Sequence, residues 1–202
     1  MSGRQGFQDY NSGASEFNAV SFVVSQLIGR VGTATAVRVV AVTNAGGVTP
    51  VGFVDVLPLV NQVDGAGNAT PHGTIHGLPY SRLQGGANAV ILDPQVGDIG
   101  VAVFASRDIS SVKANRAQAN PGSRRRFDMA DGMYVGAILN AAPTQYVRFS
   151  TLGVEIVSPT RVTITAPNID TTGVLTNNGH AIGSTHLHTG VQGGGGTSGP
   201  PV

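Results

Sequence analysis

Four short apolar segments between Tyr146 and Asn178, reading YVRFS, GVEIVS, RVTITA and NIDTTGVLTNN, recur about every ten residues and are cut off by Gly153, Pro159, Pro167 and Gly173. Each is too short to bury a core inside one chain, and an isolated ribbon of such strands is marginal in water. In Arg161, Val162, Thr163, Ile164 and Thr165 apolar and polar residues alternate with the period of a strand, so the apolar side chains share one face. Three chains winding together can enclose one axial core, with Val, Ile and Leu inward and Thr, Arg and Glu outward. A monomeric alternative, a loose β-tail lying on the preceding domain, leaves strand edges exposed. Residues 143–180 are therefore predicted to form an intertwined trimeric β-helix, which makes the protein an obligate homotrimer.

The stretch that follows, Gly179 to Val202, reads GHAIGSTHLHTGVQGGGGTSGPPV and contains no Lys, Arg, Asp or Glu. At its centre His186 and His188 stand two residues apart, and in an extended strand such residues point to the same side. Two ligands do not close a metal site. On a threefold axis the same pair supplies six imidazole nitrogens, an octahedral set that suits iron or nickel better than four-coordinate structural zinc. The competing reading is two solvated histidines on a loop. Gly193 to Gly196 are not a phosphate loop, because no Gly-Lys-Ser/Thr follows. They form either a flexible tail or tight turns around a metal-pinned apex over 181–202, where glycine tolerates the backbone angles.

Ahead of these segments the pattern is that of a separate domain over 15–142, preceded by a polar, Gly-containing arm over 1–14. Ser15 suits a helix N-cap, Phe17, Val20, Val24 and Leu27 recur at spacings of three and four, and Gly29 suits the stop. Strands are then expected at Thr35–Thr43, Val51–Val60, Ala89–Leu92, Asp98–Ala105 and Met133–Leu139. Turn signals separate them at Asn44 to Gly47, Asp64-Gly65, Gly85-Gly86, Asp93-Pro94 and Asp131-Gly132. About five strands in roughly 110 residues fit a small barrel of the OB type. The fold class is all-β with one short leading helix.

Charge and composition narrow the function. Only 11% of the residues are charged and the formal net charge is +1, so no long-range field draws the chain to nucleic acid or to an acidic membrane. Cysteine is absent, which leaves packing, metal or oligomerisation to supply stability. The first residues lack the apolar stretch of a secretory signal, and no run approaches the ~20 apolar residues of a membrane helix. Synthesis as a soluble cytosolic chain is the expectation.

Catalytic constellations are weak. His72 and His76 have the spacing of zinc ligands on a helix, but Pro71, Gly73 and Gly77 oppose a helix and no Glu follows His72; solvated loop histidines are the simpler reading. Glu16 and Glu155 are the only glutamates, so a carboxylate pair for glycoside hydrolysis would rest on Asp. No Gly-x-Ser-x-Gly elbow is present. Arg124, Arg125 and Arg126 could neutralise phosphates on an OB barrel, yet Trp is absent and Asp128 and Asp131 flank them, which favours a solvated loop or a subunit interface. No catalytic residue is assigned and no enzymatic activity is expected.

Taken together, the leading helix, LPYSRLQGG, GDIGVAVFASRDI, DGMYVGAIL, the β-ribbon and the terminal HLHTGVQGGGGTSGPP resemble the central baseplate spike of contractile-tailed phages, the membrane-piercing tail tip. The resemblance covers about residues 15 to 202 and is most specific from Gly179 onward. It implies a homotrimer in the virion's tail baseplate whose OB barrels dock on the baseplate hub. It further implies a C-terminal β-helix forming a needle, and a tip that meets the host outer membrane while enclosing one iron ion per trimer. His186 and His188 match the ligand motif; His180 lies outside it. No nucleic acid partner is implied. The alternative is an OB-type nucleic-acid or hub-binding module with a disordered tail.

Overall fold

A computed structural model describes residues 11–29, 31–64, 66–183 and 194. The chain divides into two compact units, 1–142 and 143–202. It is mostly β, with a short N-terminal helix, a five-stranded antiparallel half-barrel of OB-like form and several two-stranded sheets.

Helix α1 spans Glu16–Ile28. Ser15 begins it in the expected way, its hydroxyl accepting from the Asn18 amide at 3.2 Å, and Gly29 closes it. None of its residues is buried: Phe17, Val20, Leu27 and Ile28 are all exposed. A helix of this length is marginal without a packed face.

The strands of the first unit are β1 (Ala34–Val42), β2 (Phe53–Pro58), β3 (Gln62–Val63), β4 (Ala69–Thr70), β5 (Ile75–Pro79), β6 (Leu83–Gly85), β7 (Asn88–Val90), β8 (Ile99–Phe104) and β9 (Gly132–Ala137). Helix α2 (Ser110–Asn115) and a 3-10 turn (Met129–Asp131) lie between β8 and β9. The main sheet runs β5-β2-β1-β8-β9. A parallel bridge between Tyr80 and Tyr134, with the Ser81 amide donating to the Tyr134 carbonyl at 2.9 Å, links the end of β5 to β9 and curls the sheet toward closure. Burial alternates along β2 and β8, as the two-residue period of a half-buried strand requires. The inward residues Val37, Val39, Val54, Val56, Ile75, Leu78, Tyr80, Ala102, Phe104 and Tyr134 make the core.

Bulges bend the sheet. Val56 pairs with Ile75 but Val54 with Leu78, so β5 carries one extra residue at His76-Gly77. Likewise Gly100 pairs with Ala137 and Val101 with Val135, leaving Gly136 as the surplus residue at φ 44°. A bulge increases local twist and bends its strand, and glycine accepts the left-handed backbone.

The fifth strand of the main sheet is thus β5 and not the expected Ala89–Leu92, which contributes instead to the separate β6-β7 hairpin. Asp131-Gly132, expected as a turn, ends the 3-10 turn and starts β9. Of the Asp64-Gly65 turn, Gly65 lies outside the described residues. The Asp64 carboxylate accepts from the Ala66 and Asn68 amides at 2.9 and 2.8 Å.

In the second unit β10 (Tyr146–Ser150) pairs with β11 (Gly153–Val157), and β12 (Thr176–Asn177) with β13 (His180–Ala181). Arg161 to Thr165, expected as a strand, joins no ladder among the described residues. Its backbone N–H and C=O groups have no neighbouring strand among the described residues to pair with.

Candidate functional site

The most unusual surface among the described residues is the β10-β11 hairpin. Its register places Val147 opposite Ile156, and Phe149 opposite Val154. Because side chains alternate along a strand, these four occupy one face of the ribbon. Tyr146, Arg148 and Ser150 lie on the other with Glu155 and Val157, where Arg148 and Glu155 form an ion pair at 2.5 Å. A ribbon with one apolar and one polar face is built to cover the apolar one. Among the described residues nothing does so: Phe149 is 79% exposed. Leu152 at the turn, and Val162, Ile164, Ile169 and Val174 beyond it, are exposed as well. No described residue from 143 to 183 is buried.

His186 and His188, the expected metal ligands, lie outside the described residues, as do most of the expected apex and residues 1–10 of the expected arm. Among the described residues no group of three His, Asp or Glu is placed to hold a metal ion. His180 lies in β13 and is exposed. His76 sits on β5, where its Nδ1 meets Asp55 Oδ2 at 2.8 Å, while Asp55 Oδ1 accepts from the Gly77 amide at 2.9 Å. The Asp55 carboxylate thereby satisfies the backbone of the β5 bulge, and the hydrogen bonds from His76 and Gly77 hold its pKa below the usual carboxylate value. The expectation that His76 is a solvated loop residue is corrected to an exposed strand residue with a carboxylate partner.

Two polar clusters that sequence reasoning missed tie the barrel's loops down. In the first, Asp93 accepts from Arg82 Nη2 at 2.5 Å, from the Tyr80 hydroxyl at 2.7 Å and from the Gly46 amide at 3.2 Å. Arg82 Nη1 donates to the Thr49 carbonyl at 2.6 Å. Both charged side chains are almost fully buried. Burial pushes the Asp93 pKa up, but the Arg82 and Tyr80 hydrogen bonds outweigh it and hold the group below its usual value.

In the second, Arg125 Nε and Nη2 donate to the two Asp131 oxygens at 2.6 and 2.9 Å, and Nη2 also reaches Asp108 at 3.1 Å. Asp131 is fully buried and accepts from the Ile109 amide at 3.0 Å. Asp108 accepts from the Ser110 amide at 2.8 Å and from the Ser123 hydroxyl at 2.7 Å. Hydrogen bonds from Ser110 and Ser123 depress the Asp108 pKa, and the Arg125 hydrogen bond depresses that of Asp131. The reading of Arg124 to Arg126 as a solvated loop or a subunit interface is therefore corrected for Arg125, which is tied to the flanking Asp131 and to Asp108, 6 and 17 residues away. The Asp108 partner, 17 residues earlier, carries no spacing signal in the sequence.

These clusters pair one charged residue of each of three sequence motifs. Arg82 in LPYSRLQGG, Asp108 in GDIGVAVFASRDI and Asp131 in DGMYVGAIL are all neutralised by internal partners. Each carboxylate is held below its usual pKa, the reverse of what a general acid at neutral pH requires. A groove of about 830 Å³ beside them is lined by Val51, Phe53, Val112 and Met133, with Lys113 and Arg116 as its charged members and no carboxylate or imidazole among its lining residues. No known protein family and no curated protein matches the chain.

Proposed function

We propose that the chain is the structural spike at the tip of a contractile phage tail, acting as a homotrimer that pierces the host outer membrane mechanically. The observation that carries the reading is the uncovered apolar face of β10-β11, Val147, Phe149, Val154 and Ile156, in a unit with no buried residue among those described. Two further copies of the same segment are the natural cover. Each copy offers the same apolar strip, and winding three strips together closes a core that one chain lacks. Pairing with neighbouring copies also gives Arg161 to Thr165 the ladder it does not find alone.

In this reading the OB-like half-barrel docks on the baseplate hub and residues 143–180 form a trimeric β-helix. His186 and His188 of each chain would hold one iron ion at the apex, six imidazole nitrogens being a donor set suited to octahedral coordination. Bound there, the ion supplies a crosslink and no reaction. The chain's own residues set the rest of the mechanism. From Thr171 to Val202 there is no Lys, Arg, Asp or Glu, and each charge carried into a bilayer centre costs several kcal/mol, at least ~2.5 on insertion scales. An uncharged apex lowers the resistance to entry, and force from tail contraction does the work.

Light scattering joined to elemental analysis tests this reading. Three chains per particle with about one iron per three chains is the expected result. A well-folded monomer at low micromolar concentration would overturn it.

A further inference from the structure

Arg107, Arg124 and Arg126 line one shallow cavity of about 600 Å³, together with Pro121 and Ser123. Among the described residues none of these three guanidinium groups has an ion-pair or hydrogen-bond partner, whereas Arg125 between two of them has both Asp108 and Asp131. The cavity therefore gathers three guanidinium groups without an ion-pair partner, above a cluster whose two carboxylates and one guanidinium leave a single negative charge, in a chain whose net charge is only +1.

The backbone beneath it is fixed by the buried cluster. Arg107 directly precedes Asp108, Arg124 and Arg126 flank Arg125, and Ser123 is tied to Asp108. Phe127 completes the turn at φ 50°, a conformation that residues other than glycine seldom adopt. Three like charges held near one another repel, and a site whose donors are already positioned binds an anion without a large ordering cost.

The chemistry of the occupant follows from charge. Among the described acids, Asp64, Asp98 and Asp128 accept backbone or side-chain hydrogen bonds of their own. Only Glu16 and Asp170 are left without a bonded partner, and a second copy would bring single, isolated carboxylates. A phosphate group concentrates about −1.5 to −2 charge on three oxygens, and arginine's planar fork matches those oxygens with paired hydrogen bonds. We propose that Arg107, Arg124 and Arg126 form a phosphate-binding site on the first unit. This assignment stands apart from the spike reading and is tested separately.

Isothermal titration of the full chain with inorganic pyrophosphate at low salt is the experiment, with citrate and a glutamate-rich peptide as carboxylate comparators. Pyrophosphate should saturate one site per chain and weaken as salt rises. The R107Q/R124Q/R126Q variant should lose about tenfold or more in affinity, as expected when charge-assisted pairs are removed. An R38Q/R161Q control, which removes two exposed arginines elsewhere, should bind as the parent does. The triple variant should also keep the parent's thermal midpoint, since none of the three side chains holds the fold. Absence of saturable binding, equal loss in the control, retained binding in the triple variant, or citrate or peptide binding as tight as pyrophosphate would each overturn the site.

Discussion

Single residues in the barrel answer two questions that the sequence alone poses badly: why certain glycines are required, and where the charges go. A Cβ placed on Gly100 would meet the Tyr134 ring at 2.5 Å and run into the Gly136 carbonyl. Tyr134 is in the core and cannot withdraw without opening it. Gly100→Ala should therefore destabilise the first unit by about 1–3 kcal/mol, the usual cost of overpacking, read as a lower midpoint in thermal or denaturant unfolding. Unchanged stability would show that the β8-β9 bulge is loose. The buried carboxylates make a pH prediction. Asp93, Asp108 and Asp131 all have folded pKa values below the usual 3.8. A depressed carboxylate contributes stability that is fully present above its unfolded pKa and is lost as pH falls through its folded value. Stability of the first unit should accordingly change little through these groups between pH 7 and 5, where their contribution is fully present, and decline below about pH 4. Asp131→Asn removes one of the titrating groups, so it should lower stability at neutral pH and flatten the acid decline. An equally steep decline in that variant would assign the acid sensitivity elsewhere.

At the level of elements, legibility in the sequence followed whether the stabilising partner was local. Helix α1 was readable because Ser15, the apolar spacing and Gly29 act within a few residues of one another. Strands β1, β2, β8 and β9 overlap the expected ranges for a similar reason: short runs rich in β-branched or aromatic residues, bounded by turn residues, favour a strand locally. Strand β5 was not readable, since Pro71, Gly73 and Gly77 read as breakers. What rescues it is a bulge whose amide is satisfied by Asp55, 22 residues earlier. The buried ion pairs were hidden for the same physical reason, their partners being brought together only by the folded half-barrel and its loops. For the candidate site, the sequence signalled that residues 143–180 cannot bury their apolar side chains alone, and the hairpin register now assigns Val147, Phe149, Val154 and Ile156 to one face. His186 and His188 rest on sequence alone. Replacing Val147 and Phe149 together with Ser removes apolar area from that face while leaving the Arg148–Glu155 pair on the other. In light scattering this variant should dissociate at concentrations where the parent stays associated, with the circular dichroism of the first unit retained. Persistence of the parent's oligomer at all concentrations would mean that the hairpin face is not the contact.

For the whole molecule, apolar surface is left uncovered in both units. Helix α1 exposes Phe17, Val20, Leu27 and Ile28 in the first, and the ribbon exposes its strip in the second. A single chain with so much uncovered apolar surface is expected to associate, and a symmetric closed assembly is the way to do so without open-ended growth. In the spike reading the trimer is held along the ribbon and, at the apex, by His186 and His188 of each chain. Those two attachments can be separated by mutation. His186→Ala with His188→Ala should abolish iron retention and still leave a trimer, because the ribbon and not the metal supplies the buried area. Neutral imidazole is the ligand form, so iron retention by the parent should also weaken as pH falls through about 6.5, the ordinary histidine pKa. Without the crosslink the three chain ends are free to fray, which concentrates proteolysis at termini. Brief protease treatment should then trim the C-terminal segment of the double variant faster than that of the parent, and assembled particles carrying it should penetrate the envelope less well. His180→Ala, His72→Ala and His76→Ala should retain iron. Should the double variant keep its iron, or lose it and still show a protected C-terminus with full infectivity, the metal-pinned apex would be wrong even if the trimer proved right.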